Sequence, residues 1–239
     1  MCSFAMFAIL FYCLLPKLST ATEAARGSAP ASSPPPVAST VLTPVTVGVY
    51  YETHCPDSKD FIRRQLYPTY LSVGSIMRIK LVPFGKATYA EHPNGSVTFT
   101  CQHGPKECRG NMLQSCALHI FNINQTMPLI YCMESNSRPE KALDSCAQRI
   151  GLNASLISDC ANSVQGERYL LEEGKATEAL RPRLNFVPWI TINGVRMPVV
   201  TSKRNLNVVL IERNILNVYY ISQKYHKIDK TFQFNVDTN

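Results

Sequence analysis

Val45-Thr46-Val47-Gly48-Val49-Tyr50-Tyr51-Glu52-Thr53-His54-Cys55-Pro56-Asp57-Ser58-Lys59-Asp60 is the stretch that decides how this chain folds. Its first seven residues are β-branched or aromatic apart from one glycine, which predicts a buried strand. Pro56 and the acids after it mark a helix start, because proline's fixed φ suits the first turn and its missing N–H costs nothing there. That helix turns Phe61, Ile62 and Leu66 towards a core and is expected to stop before Pro68. Cys55 thus stands at a strand-to-helix junction, where the partial positive charge of a helix N-terminus favours a thiolate.

Working outward, residues 76–84 predict a second strand, with Met77, Ile79 and Leu81 on one face. Residues 85–100 read as a loop with a turn at Asn94-Gly95, and a helix is expected from about Asn111 to about Phe121. Residues 138–150 predict another helix, with Ala142, Cys146 and Ile150 at i+4 spacing and Gly151 as its stop. Helical pieces continue over 152–180. The chain then returns to strand at 186–192, turns at Asn193-Gly194 and resumes at 195–197, a strong hairpin signal. An amphipathic helix carrying Val208, Ile211, Ile215 and Val218 closes the pattern. The expected fold class is α/β, a small sheet split by a helical insertion.

The 239 residues, 45% hydrophobic and 17% charged, suffice for one globular domain with tails. The net charge of +7 comes from scattered Lys and Arg, with no basic and aromatic stripe, so nucleic acid is not an expected partner. Residues 4–15 form an apolar run too short to span a bilayer but suited to a signal peptide, assigned to 1–21. Its leading segment lacks Lys and Arg. No later stretch is expected to cross a membrane. Residues 22–44, rich in Pro, Ser and Ala, cannot build a core and read as a linker or propeptide. The domain proper is placed at 45–225, with a polar tail at 226–239.

Cysteine usage follows the compartment. Of nine cysteines, Cys2 and Cys13 leave with the signal peptide and seven remain. Setting Cys55 aside leaves Cys101, Cys108, Cys116, Cys132, Cys146 and Cys160, which can form three disulfides in fifteen ways. Sequons at Asn94, Asn124 and Asn153 agree with glycosylation on a secretory route.

A second segment, Thr100 to Cys116, packs three cysteines and a histidine into one window: C-Q-H-G-x-x-E-C-x-x-N-x-x-x-x-C. Cys101, Gln102, His103, Gly104, Glu107, Cys108, Asn111 and Cys116 together resemble the signature of the gamma-interferon-inducible lysosomal thiol reductase family. The resemblance implies a thioredoxin-like core with a disulfide-rich helical insertion, with Cys55 as nucleophile. It also implies that Pro188, at the head of Val-Pro-Trp-Ile-Thr-Ile-Asn-Gly, is a cis proline facing that nucleophile. Removal of the tail during maturation is a further implication.

One position departs from the pattern. Family members usually carry Cys-x-x-Cys, and here the residues are Cys55-Pro56-Asp57-Ser58. A hydroxyl cannot resolve a mixed disulfide as a second thiol does. The expectation is a thiol–disulfide oxidoreductase acting through Cys55, with Ser58 and Pro188 beside it and an external thiol such as cysteine or glutathione as reductant. No cofactor and no metal are expected. Cys-x-His and Cys-x7-Cys are not structural zinc spacings. His103 is read as an organiser of its loop, and His54 as either a stabiliser of the thiolate or a solvated side chain. Expected partners are disulfide-containing or unfolded proteins, in the lysosome or outside the cell. The alternative is an impaired family member that binds or traps such clients. The sequence leaves the oligomeric state and the disulfide pairing open.

Overall fold

The structure, a computed structural model, describes residues 44–197 and Leu206. The proposed signal peptide, all of the linker but its last residue, the helix of Val208, Ile211, Ile215 and Val218, and the tail lie outside the described residues.

The predicted first strand forms as read: β1 (Val45–Tyr51) is one of two inner strands of a four-stranded sheet. It pairs in parallel with β2 (Met77–Pro83), Val47 opposite Ile79 and Val49 opposite Leu81. On its other side it runs antiparallel to β5 (Trp189–Ile192), which in turn pairs with β6 (Val195–Arg196). Val45, Val47, Val49 and Tyr51 are all fully buried in a core with Ile62, Leu66, Met127 and Ile130. A strand covered on both faces is apolar at nearly every position, as this one is.

A parallel pair needs a crossover, and here it is longer than the sequence suggested. α1 (Pro56–Phe61) does not end the helix before Pro68; it passes through a wide π-type turn (Ile62–Leu66) into α2 (Tyr67–Val73). Tyr67 N–H bonds to the Ile62 carbonyl, one residue further back than in an α-helix. A proline ring ordinarily collides with the carbonyl four residues before it, and the widened turn next to Pro68 is a way to relieve that crowding.

The 85–100 loop is also corrected. Around the expected Asn94-Gly95 turn, β3 (Thr88–Glu91) and β4 (Val97–Thr100) form a separate antiparallel hairpin. Each strand has four residues and is largely exposed, so the alternation is too brief to stand out. Tyr89 and Phe99 anchor it, edge-on to Phe84.

Five helices fill the space between β4 and β5: α3 (Pro105–Ile120), α4 (Ile123–Glu134), α5 (Leu143–Ile150), α6 (Ala154–Ala161) and α7 (Val164–Glu178). α3 starts six residues before the expected Asn111, since Pro105 opens it and Glu107 lies in its first turn. Gly104, at its N-cap, has φ +81°, a conformation that a side chain resists. α4 was not anticipated. A reciprocal capping box between Asn122 and Gln125 starts it, and it continues past Pro128. The helix expected over 138–150 is a 3-10 turn (Pro139–Lys141) followed by α5, which Gly151 ends in the left-handed conformation. The insertion has its own core of Leu113, Ala117, Leu129, Met133, Ala147 and Ile157.

Among the fifteen possible pairings the structure takes one: Cys101–Cys108, Cys116–Cys160 and Cys132–Cys146. The second ties α3 to α6 across 44 residues and the third ties α4 to α5. Cys55 is the free cysteine among the described residues.

Candidate active site

Cys55 caps α1. Its backbone is extended (φ −72°, ψ 121°), its N–H donates to the Glu52 carbonyl (3.3 Å), and its carbonyl accepts from Lys59 N–H (3.1 Å). These bonds fix the sulfur at the helix N-terminus with 8% of the residue exposed. Sγ lies 4.0 Å from the carbonyl oxygen of Val187, and the Val187–Pro188 peptide is cis. Cys55 and the Val-Pro turn are 132 residues apart in sequence, yet strands β1 and β5, hydrogen-bonded to each other, deliver both. Ser58, one turn further along α1, is fully buried, and its Oγ accepts from Glu52 N–H (3.4 Å). The structure therefore brings Cys55, Ser58 and Pro188 together.

Most of the signature segment is braced against the loop that leads to Cys55. Asn111 Oδ1 accepts from Thr53 N–H (3.1 Å) and lies 2.9 Å from Thr53 Oγ1, which also reaches the Glu107 carbonyl (3.2 Å). Thr53 and Asn111 are both fully buried. A Cβ on Gly110 would come within 2.5 Å of Thr53 Oγ1, so α3 can lie this close only with glycine there. Asn111→Ala would leave the buried Thr53 N–H without its acceptor, at a cost of about 1–3 kcal/mol. A urea melt should show this loss, and an unchanged midpoint would count against the bracing role. Cys101 and Cys108 pair beside this contact, Gln102 is exposed, and Cys116 serves the insertion instead.

His103 organises its loop, as expected. Its Nδ1 hydrogen-bonds to Glu107 Oε2 and its N–H donates to Glu107 Oε1 (3.1 Å). Glu52 Oε2 lies 3.6 Å from the same Nδ1, and Glu52 Oε1 accepts from Lys86 N–H (2.6 Å). Burial pushes the Glu52 carboxyl above its ordinary value, opposed by that bond from Lys86. Glu52, His103 and Glu107 offer ligand atoms within 4.8 Å of one another, the one such metal-capable group among the described residues. Cys101 and Cys108, which a zinc site in this segment would have used, are instead joined to each other.

His54 is partly buried, and its Nε2 meets Glu140 Oε2 at 2.9 Å. Deeper in, Tyr51 OH donates to Gln114 Oε1, and Gln114 Nε2 donates to Glu134 Oε1 (2.6 Å). Glu134 is fully buried, and desolvation raises its pKa to about 8. Asn94, Asn124 and Asn153 are all exposed. Glu52, Thr53, Glu140 and Val187 escaped the sequence reading; only the first two carry a local hint, their nearness to Cys55.

Two solved structures share the architecture. BdbD from Bacillus subtilis aligns over 74% of this chain and 88% of its own, with TM-score 0.50 and 12% identity. DsbA from Chlamydia trachomatis aligns over 76% and 88%, with TM-score 0.50 and 13% identity. At such identities the likeness speaks for the fold, which is thioredoxin-like α/β with an inserted helical region. The family model described as gamma interferon inducible lysosomal thiol reductase (GILT) matches residues 46–150. GILT-like protein 1 of Drosophila melanogaster is 33% identical over 181 residues, covering 69% of this chain and 72% of its own length. The chain belongs to the gamma-interferon-inducible lysosomal thiol reductase family. The proteins of that name from Carassius auratus and Mus musculus are each 39% identical, over 64% and 63% of this chain. The chain spans 61% of the length of each.

Proposed function

We propose that this protein reduces protein disulfides through Cys55 alone, with an external thiol completing each turnover. The observation that carries the reading is a free sulfur at a helix N-terminus, 4.0 Å from the Val187 carbonyl, with a buried serine where a resolving thiol would stand. Family membership and the fold support the reaction class. Cys55 attacks a client disulfide, forming a mixed disulfide and releasing one client thiol. Ser58 cannot displace the second, because its hydroxyl hardly ionises and forms no stable bond to sulfur. Cysteine or glutathione does so instead.

The buried Thr53–Asn111 contact and the part-buried His54–Glu140 contact hold the loop around Cys55, so the nucleophile is presented in one position. The clients would be disulfide-containing or unfolded proteins. Three disulfides and three exposed sequons fit an oxidising, secretory or lysosomal route. The domain limits of 45–225 follow from the same reading.

Ser58 also favours a second reading, a trap that holds clients on Cys55 without releasing them. Insulin reduction with cysteine as donor separates the two. Turnover that rises with donor concentration supports the external-thiol reductase; a stable client adduct on Cys55 with no turnover overturns it in favour of the trap. Ser58→Cys should raise the rate about tenfold at low donor concentration, because an intramolecular thiol acts at high effective concentration. The check is the initial rate of native and variant chains at one limiting donor level.

A further inference from the structure

A cleft of about 550 Å³ lies between the end of β2 and the end of α7, and three cations line it: Lys86, Arg181 and Arg183. Its size suits a small molecule. Arg181 is partly engaged, its Nη1 donating to the Glu178 and Leu180 carbonyls. No ion pair within the described residues occupies the Lys86 ammonium or the Arg183 guanidinium, and both side chains are exposed. The cleft also holds one carboxylate, Glu178, which accepts from Tyr89 OH (2.8 Å). The lining thus combines a cationic majority with one acid, a pattern that complements an amino-acid headgroup with carboxylates and an ammonium.

Both walls lead to the nucleophile. On one, Lys86 N–H bonds to Glu52, whose own carbonyl accepts from Cys55 N–H. On the other, Leu184 lines the cleft three residues before Val187, whose carbonyl touches Cys55 Sγ. Three residues of chain, which bends at Phe186 and Val187, span at most about 10 Å, so Leu184 lies within the length of a tripeptide-sized thiol from Val187.

We propose that this cleft is the docking site for the external reductant, and that the reductant is a small amino-acid thiol with carboxylates, of the glutathione class. The proposal rests on the single-cysteine reading above. In it, a docked thiolate attacks Sγ of the Cys55–client disulfide and expels the client sulfur as a thiolate, which takes a proton from solvent. A second thiolate attacks the resulting Cys55–reductant disulfide, releasing oxidised reductant and restoring the Cys55 thiolate. Two reductant thiols are oxidised to one disulfide for each client disulfide reduced to two thiols.

The cleft is tested apart from turnover by titrating the full chain with S-methylglutathione, which cannot react, in a calorimeter. Saturable binding that weakens about tenfold or more in Arg183→Glu and in Lys86→Glu is the expected result, since each reversal replaces a charge-assisted contact with repulsion. Absent binding, binding indifferent to both reversals, or binding only of an acidic peptide would overturn the proposal. The kinetic arm compares glutathione with cysteamine, a thiol with no carboxylate. The ratio of their kcat/KM values should fall about tenfold in the same variants. If the native chain binds S-methylglutathione but no thiol supports turnover, the single-cysteine reading fails and the anion cleft stands. If thiols support turnover without selectivity or binding, the cleft fails and the reading stands.

Discussion

Cys55→Ala should lower insulin reduction by on the order of a thousandfold or more, to the rate of the donor thiol alone. The scale follows from the covalent route: without a sulfur at the α1 N-terminus there is no mixed disulfide, and no other group takes its place. The six remaining cysteines within the described residues are paired with one another. Ser58 is buried and bonded to Glu52 N–H. The variant should fold normally, because alanine keeps the extended N-cap backbone and Cys55 makes no side-chain capping bond. Its circular dichroism and melting midpoint should therefore match the native chain while the rate collapses. A Cys55→Ala chain that still reduces insulin above the donor's own rate would end the single-nucleophile account.

Stability should fall as pH rises, and Glu134 should dominate the slope. Burial holds its folded pKa near 8 against an ordinary value of 4.5; the nearby Lys59 and the hydrogen bond from Gln114 pull the other way, and Glu107 adds to the rise. A folded value above the unfolded one means the native chain keeps a proton that the unfolded chain has lost. The resulting stability is complete below about pH 4.5 and is lost as pH climbs towards 8. At about 1.4 kcal/mol per pH unit, Glu134 alone accounts for on the order of 4 kcal/mol across that window. Glu173, raised to about 7 mainly by desolvation, acts in the same direction. For a chain of this size the melting midpoint should drop by about 10 °C between pH 5 and pH 8. Glu134→Gln, a stand-in for the neutral acid, should remove somewhat more than half of the drop, Glu173 keeping the rest, and should melt higher than the native chain at pH 8. A native midpoint that is flat with pH would show that Glu134 ionises in the fold without penalty.

Local signals made much of this molecule legible. β1, the Cys55 junction, the Asn193-Gly194 hairpin and the helical insertion each follow from a pattern within a dozen residues. The failures share a cause. Pro68 was expected to stop a helix, yet a widened turn precedes it and the helix goes on, because tertiary packing outweighs a local preference; α4, which runs through Pro128, was not anticipated. β3 and β4 are too short and exposed to show a period. At the site, Cys55, Ser58 and Pro188, which the fold brings together, could be named from sequence, whereas their supports could not. Thr53 meets Asn111 across 58 residues and His54 meets Glu140 across 86, and such pairs leave no trace in either segment alone.

The activity proposed above cleaves sulfur–sulfur bonds, and the described residues hold three of them, so the scaffold would have to be insulated from that chemistry. Cys116 and Cys146 are fully buried, and Cys101 is 8% exposed. In the Cys116–Cys160 and Cys132–Cys146 cross-links one sulfur is thus walled off from an approaching thiolate, whereas Cys101 is as exposed as Cys55. Burial of that kind slows attack through access alone, whatever the reductant supply. The helical insertion is in this sense a sheath around two of the three cross-links, one that would let the same surroundings be reducing for clients and inert for most of the scaffold.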